Sequence, residues 1–193
     1  LEDSSQIITD HFIWAADIFS LHELISPDHK KPQLKKASIT LALLSTEFSN
    51  INTLFSTIYI CDKDQLPYRI VNQQYSAGDR TAKKHQLVIE LNLDYIESKG
   101  IKSDEQLQKY LSSYLVEANL LKQPPEQDSI KIYHLRQAIT IPTLENFSEF
   151  QKIHNLTQNK FPEINLIGPS SGFVSTSLND QIIQGLKLGV IYS

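Results

Sequence analysis

The sequence predicts an α+β fold built on a mostly antiparallel sheet with flanking helices. Three observations point there. Short segments between residues 38 and 93 alternate apolar and polar residues, and stretches of turn composition separate them. One longer segment, 103–121, carries apolar residues at helical spacing. The last stretch, 164–193, reads as strand, Gly/Ser loop and helix.

The elements follow in order. Residues 12–16 (Phe-Ile-Trp-Ala-Ala) form a plausible buried strand. Ile18, Leu21, His22 and Ile25 then recur at helical spacing and stop before Pro27. Residues 27–36 are basic and contain proline, as in a solvated crossing between domains. In 38–44, Ile39, Leu41 and Leu43 share one face. Segments 57–60 and 68–71 are short strands around a polar turn at 62–67. The lone cysteine, Cys61, is most simply a strand residue. Segment 86–93 is the cleanest strand. Leu87, Ile89, Leu91 and Leu93 face in, and Gln86, Glu90 and Asn92 face the other way.

Ser103 and Gln106 make a capping-box pattern at the start of the long helix. Its stripe is Leu107, Tyr110, Leu111, Tyr114, Leu115, Ala118 and Leu121. Residues 130–141 read as a further strand. A helix from Leu144 to about Asn159 follows, capped by Thr143, with Phe147, Phe150 and Ile153 inward. Residues 164–167 are a short buried strand, broken by Gly168-Pro169-Ser170-Ser171-Gly172. Ser177 is a candidate N-cap, and Asp180 suits the dipole of the last helix. Leu178, Ile182, Ile183, Leu186 and Val190 share a face of that helix. The start of such a helix presents free N–H groups that bind anions or polarised carbonyls.

Bulk properties narrow the function. Hydrophobic content of 40% and charged content of 21% are ordinary for a soluble globular protein. A net charge of −4 argues against a sequence-independent nucleic-acid binder. A single cysteine excludes an internal disulfide. The six histidines show no metal-ligand spacing, so no metal site is expected. No apolar run approaches the ~20 residues of a membrane span, and no signal peptide is expected. A cytoplasmic protein without an integral membrane segment is the expectation, its oligomeric state left open. The sequence starts at Leu1, contains no methionine and has no G-x-G-x-x-G. The expectation is the C-terminal part of a longer protein whose nucleotide-binding half lies upstream.

The last stretch resembles the C-terminal flavin-binding segment of the FAD-dependent amine-oxidase superfamily. That group includes protoporphyrinogen oxidases, phytoene desaturases and, more distantly, UDP-galactopyranose mutases. Ser175-Thr176-Ser177-Leu178-Asn179-Asp180, followed by Gly185, carries the resemblance. Pro169 and Ser170 depart from it, because many relatives place an acidic residue there. Residues 10–16 are similar to the strand that leads out of the cofactor domain in this group. Tyr59, Asp62, Pro67, Tyr68, Arg69, Ile70 and Glu90 are similar to its substrate domain, and Arg136, Ala138 and Pro142 approximate a later strand end.

The resemblance implies a division into a cofactor-domain segment and linker (1–34), an α+β substrate domain (35–159) and a C-terminal strand, loop and helix (160–193). The terminal segments would belong to an α/β FAD-binding domain. FAD is the implied cofactor of the full-length protein. Trp14, Gly168, Pro169, Ser170, Ser177, Leu178 and Asn179 are the implied cofactor contacts. Tyr68, Arg69 and Arg136 are the implied contacts to a small-molecule substrate. No catalytic side chain is identified, since the flavin carries the hydride chemistry. Arg69 and Glu90 read equally as a cross-strand ion pair. Two alternatives stay open: a mutase-like flavoenzyme acting on a nucleotide sugar, which needs an arginine pair, and a non-catalytic binding module. The only arginines are Arg69, Arg80 and Arg136.

Overall fold

The structure, a computed structural model, describes residues 8–28, 32–173 and 178–191. The chain divides into two compact units. One contains residues Lys36–Ile139, and the other gathers the two ends, up to Lys35 and from Thr140 onward.

The middle unit is a five-stranded sheet with helices on one face. Its strands are β2 (Lys36–Glu47), β3 (Thr57–Tyr59), β4 (Pro67–Asn72), β5 (Lys84–Asn92) and β6 (Ile130–Thr140). The terminal unit supplies β1 (Phe12–Trp14). The strand order is β3-β4-β5-β2-β6. The pairs β3–β4, β4–β5 and β5–β2 are antiparallel. Thr40 pairs with Leu91, Ala42 with Ile89 and Leu44 with Leu87, and all six are fully buried. On this face lie α3 (Leu93–Ser98), through Ile96, and α4 (Asp104–Glu117), through Leu107, Leu111 and Leu115. An antiparallel sheet needs only one covered face to form a core.

Side chains start these helices. Ser103 Oγ accepts from Gln106 N at 3.3 Å. Gln106 Oε1 in turn accepts from Lys102 N at 2.8 Å, one residue outside the usual capping box. Asn92 both ends β5 and caps α3, accepting from Tyr95 N at 3.2 Å. Asn72 does the same between β4 and the short helix α2 (Gln73–Ser76). Neither α2 nor α3 belongs to the expectation from sequence. The long helix closes earlier than its stripe implies. Asn119 adopts φ 60, and Leu120 N bonds to Leu115 O at 2.9 Å, so the chain turns away after Glu117 and Leu121 is buried from outside the helix.

The alternation in β2 is as expected, but its buried side is Thr40, Ala42, Leu44 and Thr46. Ile39, Leu41 and Leu43 lie on the opposite, partly open face. Cys61 is not a strand residue. It is exposed in the loop after β3.

In the terminal unit β1 pairs in parallel with β7 (Ile164–Leu166), Phe12 with Ile164 and Trp14 with Leu166. Helix α1 (Ile18–Ile25) packs Ile18 and Phe19 on Phe150 and Ile153 of α5 (Leu144–Lys160). Helix α5 therefore belongs with the ends. The division falls before Thr140, not after residue 159, because the apolar face of α5 is covered by α1. Asn146, buried at the start of α5, fastens the two chain crossings. Its Oδ1 accepts from Lys35 N at 3.0 Å, and its Nδ2 donates to Lys35 O and Ile141 O, both at 2.8 Å. Phe147 is more exposed than the expected stripe requires.

The last helix, α6 (Leu178–Ile191), forms where its pattern places it. Its apolar face is not buried among the described residues. Ile182, Ile183, Leu186 and Val190 are 52%, 49%, 67% and 79% exposed. Among the described residues no helix is long and apolar enough to cross a membrane.

Candidate functional site

Two places carry the sequence-derived candidates, and each is built from a different local device.

The first is the end of the parallel pair in the terminal unit. Ligands in α/β folds bind beyond the carboxyl ends of parallel strands. Here those ends are Trp14 and Leu166, and the loop after β7 folds back over them. Trp14 O accepts from Ile167 N at 3.0 Å and from Ser170 Oγ at 2.9 Å, across 156 residues of chain. Gly168 sits at φ 59, and a Cβ there would lie 3.3 Å from Ala15 O. A side chain is thus opposed twice, by the left-handed backbone and by the neighbouring strand. Gln184 of α6 ties the loop to the helix. Its Oε1 accepts from Gly168 N at 2.7 Å, and its Nε2 donates to Ser171 Oγ at 2.9 Å.

The structure therefore brings Trp14, Gly168 and Ser170 together, with Pro169 exposed beside them. Their polar groups are already engaged. The Trp14 indole N–H donates to Asp17 O at 3.0 Å, and Ser170 is fully buried. What the loop offers is backbone and shape, not free side-chain donors. Leu178 and Asn179 open α6, with Asn179 exposed. Ser177 lies outside the described residues. Gln184 is the residue that sequence reasoning missed. Its signal was faint, a polar residue between Ile183 and Leu186.

The second place is the face of the middle sheet turned away from α3 and α4. A β-bulge between Pro67 and Arg69 shifts the register, so that Pro67 faces Leu91 while Arg69 faces Glu90. The extra residue turns both Tyr68 and Arg69 toward Glu90. Arg69 Nη2 is bonded to Glu90 Oε1, and Tyr59 stands opposite Arg69 on β3. The bond to Glu90, first, holds the guanidinium charged more firmly than usual. The Glu90 carboxylate also acts on Tyr68. Burial, and then the Glu90 charge, push its hydroxyl up to about 12. The result is a row, Tyr59–Arg69–Glu90–Leu41, running across four strands. The next row is Thr57–Val71–Val88–Leu43.

Arg136 is not part of this row. His134 Nδ1 lies 2.8 Å from the buried Thr40 Oγ1, which fixes His134, and by alternation Arg136, on the helix side. There Arg136 pairs with Glu97 at 3.5 Å, and His134 Nε2 meets Asp104 at 2.9 Å. These groups rim a cavity of about 350 Å³ floored by Leu93, Ile96 and Leu107. No group of three metal-ligating side chains occurs among the described residues.

No family model matches the sequence, and no curated protein matches it. Solved structures do. A candidate protoporphyrinogen oxidase from Exiguobacterium sp. 255-15 aligns with a TM-score of 0.57 at 15% identity, over 84% of this chain and 36% of that one. A reduced UDP-galactopyranose mutase aligns with a TM-score of 0.60 at 12% identity, over 86% of this chain and 37% of that one. At such identities the likeness is one of fold. Both names fall within the group that the sequence resembles, and the chain spans little more than a third of the length of either. The chain shares its fold with part of each of these two proteins.

Proposed function

We propose that this chain is the C-terminal portion of a cytoplasmic FAD-dependent oxidoreductase. In this reading the middle unit binds the substrate, and the terminal unit completes the flavin-binding domain. The observation that carries it is the parallel pairing of β1 with β7. A chain that leaves one unit, builds an antiparallel sheet and returns to add a parallel strand beside its point of exit has the layout of a cofactor domain with a substrate domain inserted. The exposed apolar face of α6 supports it, because among the described residues that face is about half open or more.

The residues fit part of a flavin site. Gly168 and the buried Ser170 hold the loop against the strand ends and leave Pro169 exposed beside them. The N-terminus of α6, at Leu178 and Asn179, suits the negative charge of a reduced flavin ring; Ser177 and Trp14 complete the set of proposed contacts. The flavin, when bound, supplies the redox chemistry. No pyrophosphate-binding glycine motif is present, so this portion alone should bind FAD poorly. The test compares flavin content of the complete protein with that of residues 1–193. Flavin in the complete protein, and none in the shorter chain, is the expected result. A complete protein purified without flavin, and unable to take it up, would refute the reading and favour a non-catalytic binding module.

A further inference from the structure

A side-chain amide has two unlike ends. Its oxygen accepts hydrogen bonds and its nitrogen donates them. Gln184 of α6 meets a loop whose facing groups have the matching polarity. Gly168 N–H donates to Oε1 at 2.7 Å. Ser171 Oγ lies 2.9 Å from Nε2 and gives its own proton to Gly168 O at 2.9 Å, so toward Gln184 it accepts. The loop holds these groups firmly. Gly168 O also accepts from Ser171 N at 3.1 Å, and Ser170 Oγ is bonded to Trp14 O at 2.9 Å. Gln184 and Ser171 are both half-buried, where an unmet donor or acceptor is costly.

Gln184 thus joins α6 to the carboxyl ends of the parallel strands. The apolar face of the helix explains why such a tie matters. A helix is ordinarily held in place by burying its apolar stripe. Among the described residues Ile182, Ile183, Leu186 and Val190 remain about half exposed or more, so that stripe does little to fix where α6 lies. Two hydrogen bonds from one side chain restrain both distance and rotation, whereas a single bond leaves a pivot. Position 184 lies within about two turns of Leu178, where the helix begins.

We propose that Gln184 is a positioning residue whose amide clamps the start of α6 to the loop after β7, and so sets the shape of the cofactor site. The functional half of the proposal rests on the flavoenzyme reading. Gln184 is not among the proposed flavin contacts and acts through Gly168 and the first turn of α6. The matched polarity predicts an order among substitutions. Gln184→Leu loses both bonds. Gln184→Glu keeps an acceptor for Gly168 N–H but turns a second acceptor toward Ser171 Oγ. Protonation of that carboxyl restores a donor, so the defect of Gln184→Glu shrinks as pH falls.

The experiment places spin labels on the complete protein, at Lys152→Cys on α5 and Lys187→Cys on α6, in a background free of other cysteines. Both positions are exposed and lie in the terminal unit. Pulsed electron resonance should give one narrow distance distribution for the otherwise unaltered protein. Gln184→Leu should at least double its width. Gln184→Glu should fall between them at neutral pH and narrow on acidification. Ser171→Ala should widen the distribution alone and add nothing to Gln184→Leu. Flavin affinity, read by fluorescence quenching, should follow the same order, with Gln184→Leu weaker by tenfold or more and the visible circular dichroism of bound flavin altered. An unchanged width in Gln184→Leu overturns the proposal, and so does a doubled width with flavin affinity within twofold of the wild type. Should Gln184→Leu fail to fold, an unchanged width in Ser171→Ala overturns it instead. A complete protein without flavin refutes the flavoenzyme reading separately, and the distances then decide the clamp by themselves.

Discussion

The burial of α4 on the sheet is the structural claim most open to measurement, and Leu111→Ala tests it. Leu111 is fully buried and belongs to the cluster that joins α4 to Leu44, Leu87, Ile89 and Leu91. Truncation removes an isopropyl group, worth about 2 kcal/mol at roughly 0.8 kcal/mol per buried carbon. The remaining void adds roughly 24 cal/mol per Å³ where the surroundings do not collapse. Collapse is restricted here, because the strands below are locked in register by their own ladder, nine pairs from Ile39–Asn92 to Glu47–Lys84. The expected loss is about 3 kcal/mol, within the usual range of roughly 2–5. Urea unfolding followed by far-UV circular dichroism reads it, and hydrogen exchange of the β5 amides assigns it to this unit. The single tryptophan, Trp14, lies in the terminal unit, so its fluorescence serves as an internal comparison. A loss below about 1 kcal/mol, with β5 protection unchanged, would show that the face of α4 is not packed.

Asn146→Ala should destabilise the terminal unit by roughly 2–3 kcal/mol, since backbone groups of Lys35 and Ile141 lose their partners; a loss under about 0.5 kcal/mol by Trp14 fluorescence melts counts against the fastening role. Gly168→Ala should cost about 1–2 kcal/mol or more, from the left-handed backbone and the approach to Ala15 O, and a neutral result would mean the loop lies elsewhere. Tyr68 should ionise near 12 in ultraviolet titration, and Glu90→Gln should lower that value; its raised folded pKa adds stability that is intact below pH ~10 and lost as pH climbs toward ~12. Gln184→Leu should leave the buried Gly168 amide without an acceptor and destabilise the loop by roughly 1–3 kcal/mol, read as faster exchange of that amide.

Much of the fold was legible because its signals are local. Period-two patterns located β2, β4, β5 and β6, and caps at Ser103 and Thr143 located α4 and α5. The short helices α2 and α3 escaped because four and six residues cannot establish a helical period. Their caps, Asn72 and Asn92, were the signal, each an Asn ending an apolar run. The parallel pairing of residues 12–14 with 164–166 followed from no local pattern; the resemblance placed both in one domain, and the structure pairs them. The site was legible more unevenly. Arg69 and Glu90 face each other across neighbouring antiparallel strands, so alternation alone made their meeting plausible. The bulge that turns Tyr68 to the same carboxylate was not visible, because an irregular register leaves no periodic trace. Arg136 was placed with the substrate residues on resemblance. The contact of His134 with Thr40 puts it on the other face.

The two faces that disagree most with simple amphipathic reasoning share a cause. Amphipathicity says which residues want to be covered and leaves open what covers them. In α4 the stripe meets a sheet within the same unit, and Leu107, Leu111 and Leu115 vanish from the surface. In α6 an equally regular stripe is only partly covered among the described residues, and Ile182, Ile183, Leu186 and Val190 remain about half exposed or more. In β2 the apolar residues occur on both sides, so one side had to be left over. The sheet buries Ala42 and Leu44, whose partners Ile89 and Leu87 are shared with α4, and leaves Leu41 and Leu43 for a ligand or another layer. Exposed aliphatic surface of this extent is costly at roughly 25 cal/mol per Å². It is retained in a folded domain when a further component repays it. On both faces the aliphatic residues stand beside polar groups already engaged within the chain, Gln184 on α6 and Arg69 with Glu90 on the sheet, so cover there would be gained through apolar contact.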